Sequence, residues 1–423
     1  MAPGPTSASH RSVSTVRLVI FLCTAQVLVQ IGAFTWPALL PGMMPLWKLS
    51  NSEAGWVTSA FYGAYLLAVP ILVTLTDRID PKRIYLCGVA LTVVGHGVFA
   101  FAADGFWDGM LGRALAGIGW AGTYMTGVKL LADRIDGRLM SRAVAGHAAG
   151  IGISGALSFI IADLVSDYAG WRMAFALSAA TALLAWLIVA LFVPKRAPRT
   201  TPPPSLAAMF DFGPVFRNTS AMAYALVYAI HTLEMSALRG WGVAFLAFVT
   251  IRNGTAEPAL SPTMVATALG LIGALASLSG NELATRYGRR RLIFTAMLGS
   301  ILIGSMIGFV APLSYPLAVA LMFVYGLVIW LDSSSLTAGT AGSAEPSRRG
   351  ATLAVHSMLG YTGGFIGPLI IGWTLDAAGA NSPAAWGMAF AAIALLMVLA
   401  LAVFTFMRPR GLPGDRDHDA KPD

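Results

Sequence analysis

The chain has 423 residues, of which 57% are hydrophobic and 11% charged, with 45 glycines besides. An ordinary soluble domain carries roughly 25% charged residues, so this composition excludes a water-soluble enzyme and excludes disorder. The net charge of +8 does not point to nucleic acid, because most of the basic residues sit in short breaks between apolar runs.

Twelve apolar runs follow one another, each long enough to cross a hydrocarbon core of about 30 Å. Arg11 and Arg17 precede the first, Leu18 to about Leu40. A signal peptide has an apolar core of about 7–15 residues, so this longer run is expected to stay as a transmembrane helix. The pattern predicts spans over 17–41, 54–76, 83–103, 107–131, 141–165, 171–193, 219–249, 261–284, 291–311, 316–342, 350–375 and 384–407. The fold class is therefore an all-α membrane protein. Cys23 and Cys87 fall inside spans, allow no disulfide framework or metal spacing, and read as small apolar residues.

With the N-terminus in the cytoplasm, 23 Lys and Arg residues lie on the cytoplasmic side and three outside, namely Lys48, Arg172 and Arg252. That asymmetry places both termini inside. The longest break, Pro194–Arg217, holds six prolines and four basic residues and reads as a semi-rigid linker. Its piece at 206–212 is either a surface helix or plain loop. The expected organisation is a six-helix bundle over 1–193, a linker over 194–217, a second bundle over 218–407 and a tail over 408–423.

The halves repeat at an offset of 208–209 residues. Asp77-Arg78-Ile79-Asp80-Pro81-Lys82-Arg83 falls on Thr285-Arg286-Tyr287-Gly288-Arg289-Arg290-Arg291, and His147 falls on His356. Each histidine is followed eight residues later by a glycine, Gly155 and Gly364. Two fused repeats around a central site are a transporter architecture.

These residues resemble the major facilitator superfamily. Its loop motif G-x-L-A-D-[RK]-x-G-[RK]-[RK] is met between spans two and three by Leu75, Asp77, Arg78, Lys82 and Arg83, with Val73 and Asp80 in place of glycines. Between spans eight and nine Leu283, Ala284, Arg286, Gly288, Arg289 and Arg290 match, with Asn281 replacing glycine and Thr285 replacing aspartate. The span-four run Leu111 to Gly119 matches a second motif through Arg113, with Ala116 where glutamine is usual. The Gly-Pro ending of the antiporter motif in span five is absent. A similar Gly363, Phe365, Gly367, Pro368 stretch lies in span eleven. Mid-span arginines in helices two and eight, and sugar-porter signatures after span six, are missing too. The resemblance implies two pseudo-symmetric bundles and transport, and names no cargo.

A charged group at the bilayer centre costs roughly 2.5–3.5 kcal/mol on the insertion scale, and four lie deep here: Arg113, Glu234, Arg239 and Asp332. Glu234, one turn after His231, reads as a proton-exchanging carboxylate or as half of a buried ion pair, for instance with Arg113. Asp332 precedes Ser333, Ser334 and Ser335, whose hydroxyls face either a cargo or their own helix. Arg113 either assists proton transfer, as the resemblance implies, or snorkels to the outer face. Glu234, Asp332 and Arg113 form the expected proton-coupling group.

Arg239 lies ~140° around the helix from Glu234 and either snorkels or contacts a substrate anion. His147 and His356 line a cavity or bond a neighbouring helix. Gln26, the repeat partner of Glu234, and Gln30 are placed on the cavity wall from span one. Together with His231 these make the candidate substrate-binding set. Asp77, Arg78, Arg83, Arg286 and Arg290 form a candidate conformational latch through charge and helix-dipole contacts. His96 reads as structural, and the glycine rows Gly146/Gly150, Gly360/Gly364 and Gly363/Gly367 as close helix packing.

No lysine follows a glycine, so no phosphate loop for ATP exists. No nucleophile–base or metal constellation supports an enzyme, and no cofactor is expected. The expectation is a monomeric secondary transporter of a bacterial inner membrane, moving a small solute with protons as coupling ion. A uniporter of the same fold is the nearest alternative, and a non-transporting receptor or assembly partner is the third.

Overall fold

The structure, a computed structural model, describes residues 15–76, 78–135, 138–195, 212–255, 257–379, 381–413 and 415, without the side chains of 138, 139 and 141. Among the described residues there is no strand. Twelve membrane spans form two six-helix bundles. The first half holds Thr15–Gln30 continued by Thr35–Leu46, then Asn51–Leu75, Pro81–Phe101, Phe106–Ala132, Arg138–Ala169 and Trp171–Phe192. The second holds Thr219–Arg252, Pro262–Tyr287, Arg289–Val310, Tyr315–Leu331 continued by Ser333–Gly342, Arg349–Ala377 and Pro383–Met407. Eleven of these are apolar enough to cross a membrane by composition alone. The other is Phe106–Ala132, which carries Asp108, Arg113 and Lys129. The piece over 206–211 lies outside the described residues, and the linker re-enters as the short helix Gly213–Arg217.

Two spans expected as single helices are broken. Span one turns at residues 31–34, and the cause is Pro37: without an N–H it cannot bond the Ala33 carbonyl one turn back. Neighbouring spans satisfy the freed groups. The Arg113 guanidinium donates to the Ala33 carbonyl at 3.1 Å, and Ser158 accepts from the Phe34 N–H at 2.9 Å. Span ten breaks at Asp332, whose carboxylate faces His231 of span seven, while Ser334 bonds the Ser277 hydroxyl and Ser335 the Gly280 carbonyl of span eight. Gly280 of span eight makes room for that break, since a Cβ there would stand 1.7 Å from the Leu331 carbonyl oxygen.

Across the halves, span two packs on eleven, span five on eight, and the distal part of span one on seven. Within the second half, Gly363 and Gly367 bring span eleven onto the backbone of span seven. A Cβ at these positions would lie 1.8 Å from the Ala229 oxygen and 2.2 Å from the Leu233 oxygen. Hydrogen bonds join the halves at the end opposite the basic loops. There the Asp376 carboxylate accepts from the backbone N–H groups of Asn51 (3.1 Å) and Ser52 (2.7 Å) and from the Asn51 amide (2.8 Å). The Thr263 hydroxyl donates to Asp163 in the related position between spans five and eight.

Candidate functional site

Two chambers are stacked along the same four spans, one, five, seven and eight. The central one, about 80 Å³, is lined by Gln30 and Phe34 of span one, Ile151 to Phe159 of span five, Leu238, Arg239 and Gly242 of span seven, and Ala266 to Gly270 of span eight. Trp120, Met322 and Trp330 complete its wall. The second, about 520 Å³, follows the same helices outward past Leu39 and Met43, Asp163 and Asp167, Val243 and Thr250, and Ser261 and Thr263. Between the two levels the rings of Phe34 and Phe159 stack, with centroids 5.2 Å apart. Pockets for small molecules usually measure roughly 300–1,000 Å³, so the central chamber is smaller than most and the second falls within that range.

Arg239 reaches the central chamber between the halves. Its guanidinium lies 5.4 Å from the ring centre of Phe34 in the first half and 5.1 Å from that of Trp330 in the second. Cation–π contacts are worth about 0.5–2 kcal/mol each, less than an anionic partner would give. Among the described residues Arg239 has no hydrogen-bond or ion-pair partner, and the polar groups in electrostatic reach are the hydroxyls of Tyr62, Tyr228 and Tyr361. Nearby, Phe61, Tyr62, Tyr65, Trp120 and Tyr361 form an aromatic belt across the interface, with Tyr65 and Tyr361 stacked at 3.7 Å.

Glu234 turns away from this chamber, into the second bundle. One carboxylate oxygen accepts from the Ser300 hydroxyl of span nine and from Tyr325 of span ten at 2.7 Å. Its other oxygen is buried without a partner among the described residues. One turn earlier, His231 Nδ1 lies 3.0 Å from an Asp332 carboxylate oxygen at the break in span ten. Tyr228 stacks on His356 at 3.9 Å, and the His356 ring sits between Thr337 (3.2 Å) and Thr340 (3.1 Å). Glu234, His231, Asp332, Tyr228 and His356 therefore line one buried polar column inside the second half.

The first half holds the remaining candidates apart from that column. Arg113 is buried; it donates to Ala33 and covers the Phe61 ring at 4.4 Å, so it neither snorkels nor meets Glu234. Gln26 lies inside the bundle, accepting from Tyr85 at 3.2 Å, whereas Gln30 does line the chamber. His147 stacks on Tyr124 with Nε2 3.3 Å from the Tyr124 carbonyl. His96 packs on Gly32 at the turn in span one.

The Major Facilitator Superfamily family model matches residues 22–331 and again 240–422. The chain belongs to the Major Facilitator Superfamily. Among curated proteins it is 25% identical to human protein spinster homolog 1 over 64% of this chain and 54% of that one. It thus spans about half the length of the curated relatives it matches. A crystallised mutant of the nucleoside transporter NupG superposes with a TM-score of 0.78 at 17% identity, covering 92% of this chain and 99% of the other. A bacterial homolog of the human lysosomal transporter spinster, captured inward-facing and unoccupied, gives 0.75 at 16%, covering 93% and 96%. These likenesses show the superfamily fold.

Within that fold, the described part of the loop motifs of this superfamily member holds two anchors, Asp80 and Arg289. Asp77 lies outside the described residues, and Arg78 and Arg83 are exposed. Asp80, a departure from the motif, caps span three through the Lys82 N–H and pairs with Arg134 at 3.2 Å. In the second copy Arg286 pairs on the surface with Glu282. The buried arginine is Arg289, one residue before the expected Arg290. Its guanidinium holds Asp415 of the tail through two bonds of 2.9 Å, the Asn281 side chain at 3.0 Å and the Ser335 carbonyl at 3.1 Å. Asp415 thus supplies a buried acid to the second copy of the motif, which has Thr285 at the aspartate position. Sequence reasoning missed this pair and the aromatic belt. Repeated aromatics one turn apart, Phe61 with Tyr65 and Trp120 with Tyr124, were the available signal for the belt.

Proposed function

We propose that the chain is a secondary active transporter that moves a small solute across a bacterial inner membrane by alternating access, with both termini cytoplasmic. The observation that carries this reading is the pair of stacked chambers along spans one, five, seven and eight, lined from both halves. Contacts between the halves at the end away from the basic loops fit a state closed toward the outside. The central chamber is the solute site, widened when the halves rock apart. The chain works as a monomer.

Protons are the coupling ion in this reading, and Glu234 with the His231–Asp332 pair carries them. A permanent charge is costly at that depth, and one Glu234 oxygen has no partner among the described residues. Gain and loss of a proton as the bundle is covered and uncovered suits such a group. Arg113 acts by holding the turn in span one. A second reading, uniport by the same fold, is favoured by the seating of Glu234 on Ser300 and Tyr325 inside one half, where it serves as a structural anchor.

A solute screen by thermal shift in detergent identifies a cargo, since a ligand that binds the native state raises apparent stability. In proteoliposomes Glu234→Gln should then abolish accumulation driven by a proton gradient while sparing exchange at equal pH. Asp332→Asn is the comparison. Accumulation intact in both variants would leave uniport.

A further inference from the structure

The central chamber takes an organic anion with an apolar body, we infer from its charge and lining; this rests on the chamber being the solute site. Arg239 enters it between Phe34 and Trp330, one from each half, with no acidic partner among the described residues. Gln30 lines the same wall and has no side-chain partner there either. On the first-half side Arg113 lies outside the chamber lining, against the Phe61 ring of the neighbouring aromatic belt. Arg113 itself is buried with its Nε unpartnered. The carboxylates of the second half are engaged elsewhere, Glu234 with Ser300 and Tyr325 and Asp332 beside His231.

One guanidinium in the wall and no acid among the lining residues make the chamber an electropositive, low-dielectric space, where a negative ligand gains more than it would in water. A planar guanidinium presents paired N–H donors that match the two oxygens of a carboxylate or phosphate. The remaining wall is Trp120, Ile151, Phe159, Leu269, Met322 and Trp330, which accepts an apolar or aromatic body and offers little to a sugar or polyol. A cation is excluded by Arg239, and an unsubstituted inorganic anion leaves that wall uncovered. The anionic group is a carboxylate or a phosphate monoester, carried by a dissolved solute or by a lipid that enters from the bilayer.

The test uses the full chain in nanodiscs of zwitterionic lipid and follows tryptophan fluorescence, because Trp120 and Trp330 line the chamber. Benzoate, octanoate and phenyl phosphate should bind saturably. Benzamide and inorganic phosphate should bind at least tenfold more weakly, and benzamidinium should not bind. Arg239→Gln should weaken the anions at least tenfold and leave benzamide unchanged, with Arg239→Lys in between. If nanodiscs doped with an anionic single-chain lipid lose benzoate binding competitively, the lipid is the source; if they do not, the dissolved solute is. Equal binding of benzamidinium and benzoate, no saturable anion binding, or full affinity in folded Arg239→Gln would each overturn the assignment. Proteoliposome uptake separates this claim from the transport reading. Anions bound but never carried would sink transport and keep the class, whereas a carried cation would do the reverse.

Discussion

Replacing Asp376 should open the molecule at the end away from the basic loops. Its carboxylate accepts three hydrogen bonds from the first turn of span two, at 3.1, 2.8 and 2.7 Å, and so joins the two halves. Asp376 is solvent-exposed, so each bond falls near the low end of the usual range, about 0.5–1 kcal/mol, and the set is worth about 2 kcal/mol. At about 1.4 kcal/mol per decade, Asp376→Ala shifts the balance between closed and open by about 30-fold. A state open at that end and populated at about 1% would rise to about a quarter. Spin labels at Tyr168→Cys and Ile251→Cys, both highly exposed at this end and in different halves, report the separation once Cys23 and Cys87 are replaced. The expected result is a new population at longer distance in the pulsed dipolar trace. An unchanged distribution in a folded Asp376→Ala protein would refute the reasoning, and Asp163→Ala should act in the same direction through Thr263.

The ion pair between Arg289 and Asp415 is buried, with side chains 3% and 1% exposed, so deleting one partner leaves an uncompensated charge. Asp415→Ala should cost about 3–5 kcal/mol in a reversible unfolding measurement, and a cost under about 1 kcal/mol would show that the tail does not hold the bundle. The role given to Arg113 is tested by a double-mutant cycle with Pro37. Arg113→Met leaves the Ala33 carbonyl buried and unsatisfied, at about 1–3 kcal/mol. Pro37→Ala restores the missing N–H donor, so Arg113→Met should cost clearly less in that background. Additive effects would mean that Arg113 is held there for another reason.

Long runs of apolar residues decide a great deal before any packing is known. In hydrocarbon each backbone polar group must be satisfied within its own helix, so twelve such runs had little choice but twelve helices. The predicted span over 107–131 and the observed Phe106–Ala132 differ by one residue at each end. The Gly363 and Gly367 row was legible as close packing because a missing Cβ matters wherever two backbones meet. Deep charges were legible for a similar reason: Glu234, Asp332, Arg113 and Arg239 stand out in an apolar run whatever surrounds them.

Partners were not legible, because a partner is set by which helix faces which. Periodicity put Glu234 and Arg239 on different faces, but only the bundle shows one turned to Ser300 and Tyr325 and the other to the chamber between the halves. The arginine of span four was recognisable by its motif. Its task follows from a proline 76 positions earlier in the chain, whose missing N–H frees a carbonyl that span four can reach. The tail acid that pairs with Arg289 lies 126 residues beyond it, and no local pattern links the two. Sequence therefore determined the helices and the buried charges, since both follow from the solvent. Tertiary structure decided which charge answers which group, since hydrogen bonds and ion pairs act over about 3 Å and only folding brings such distant residues that close.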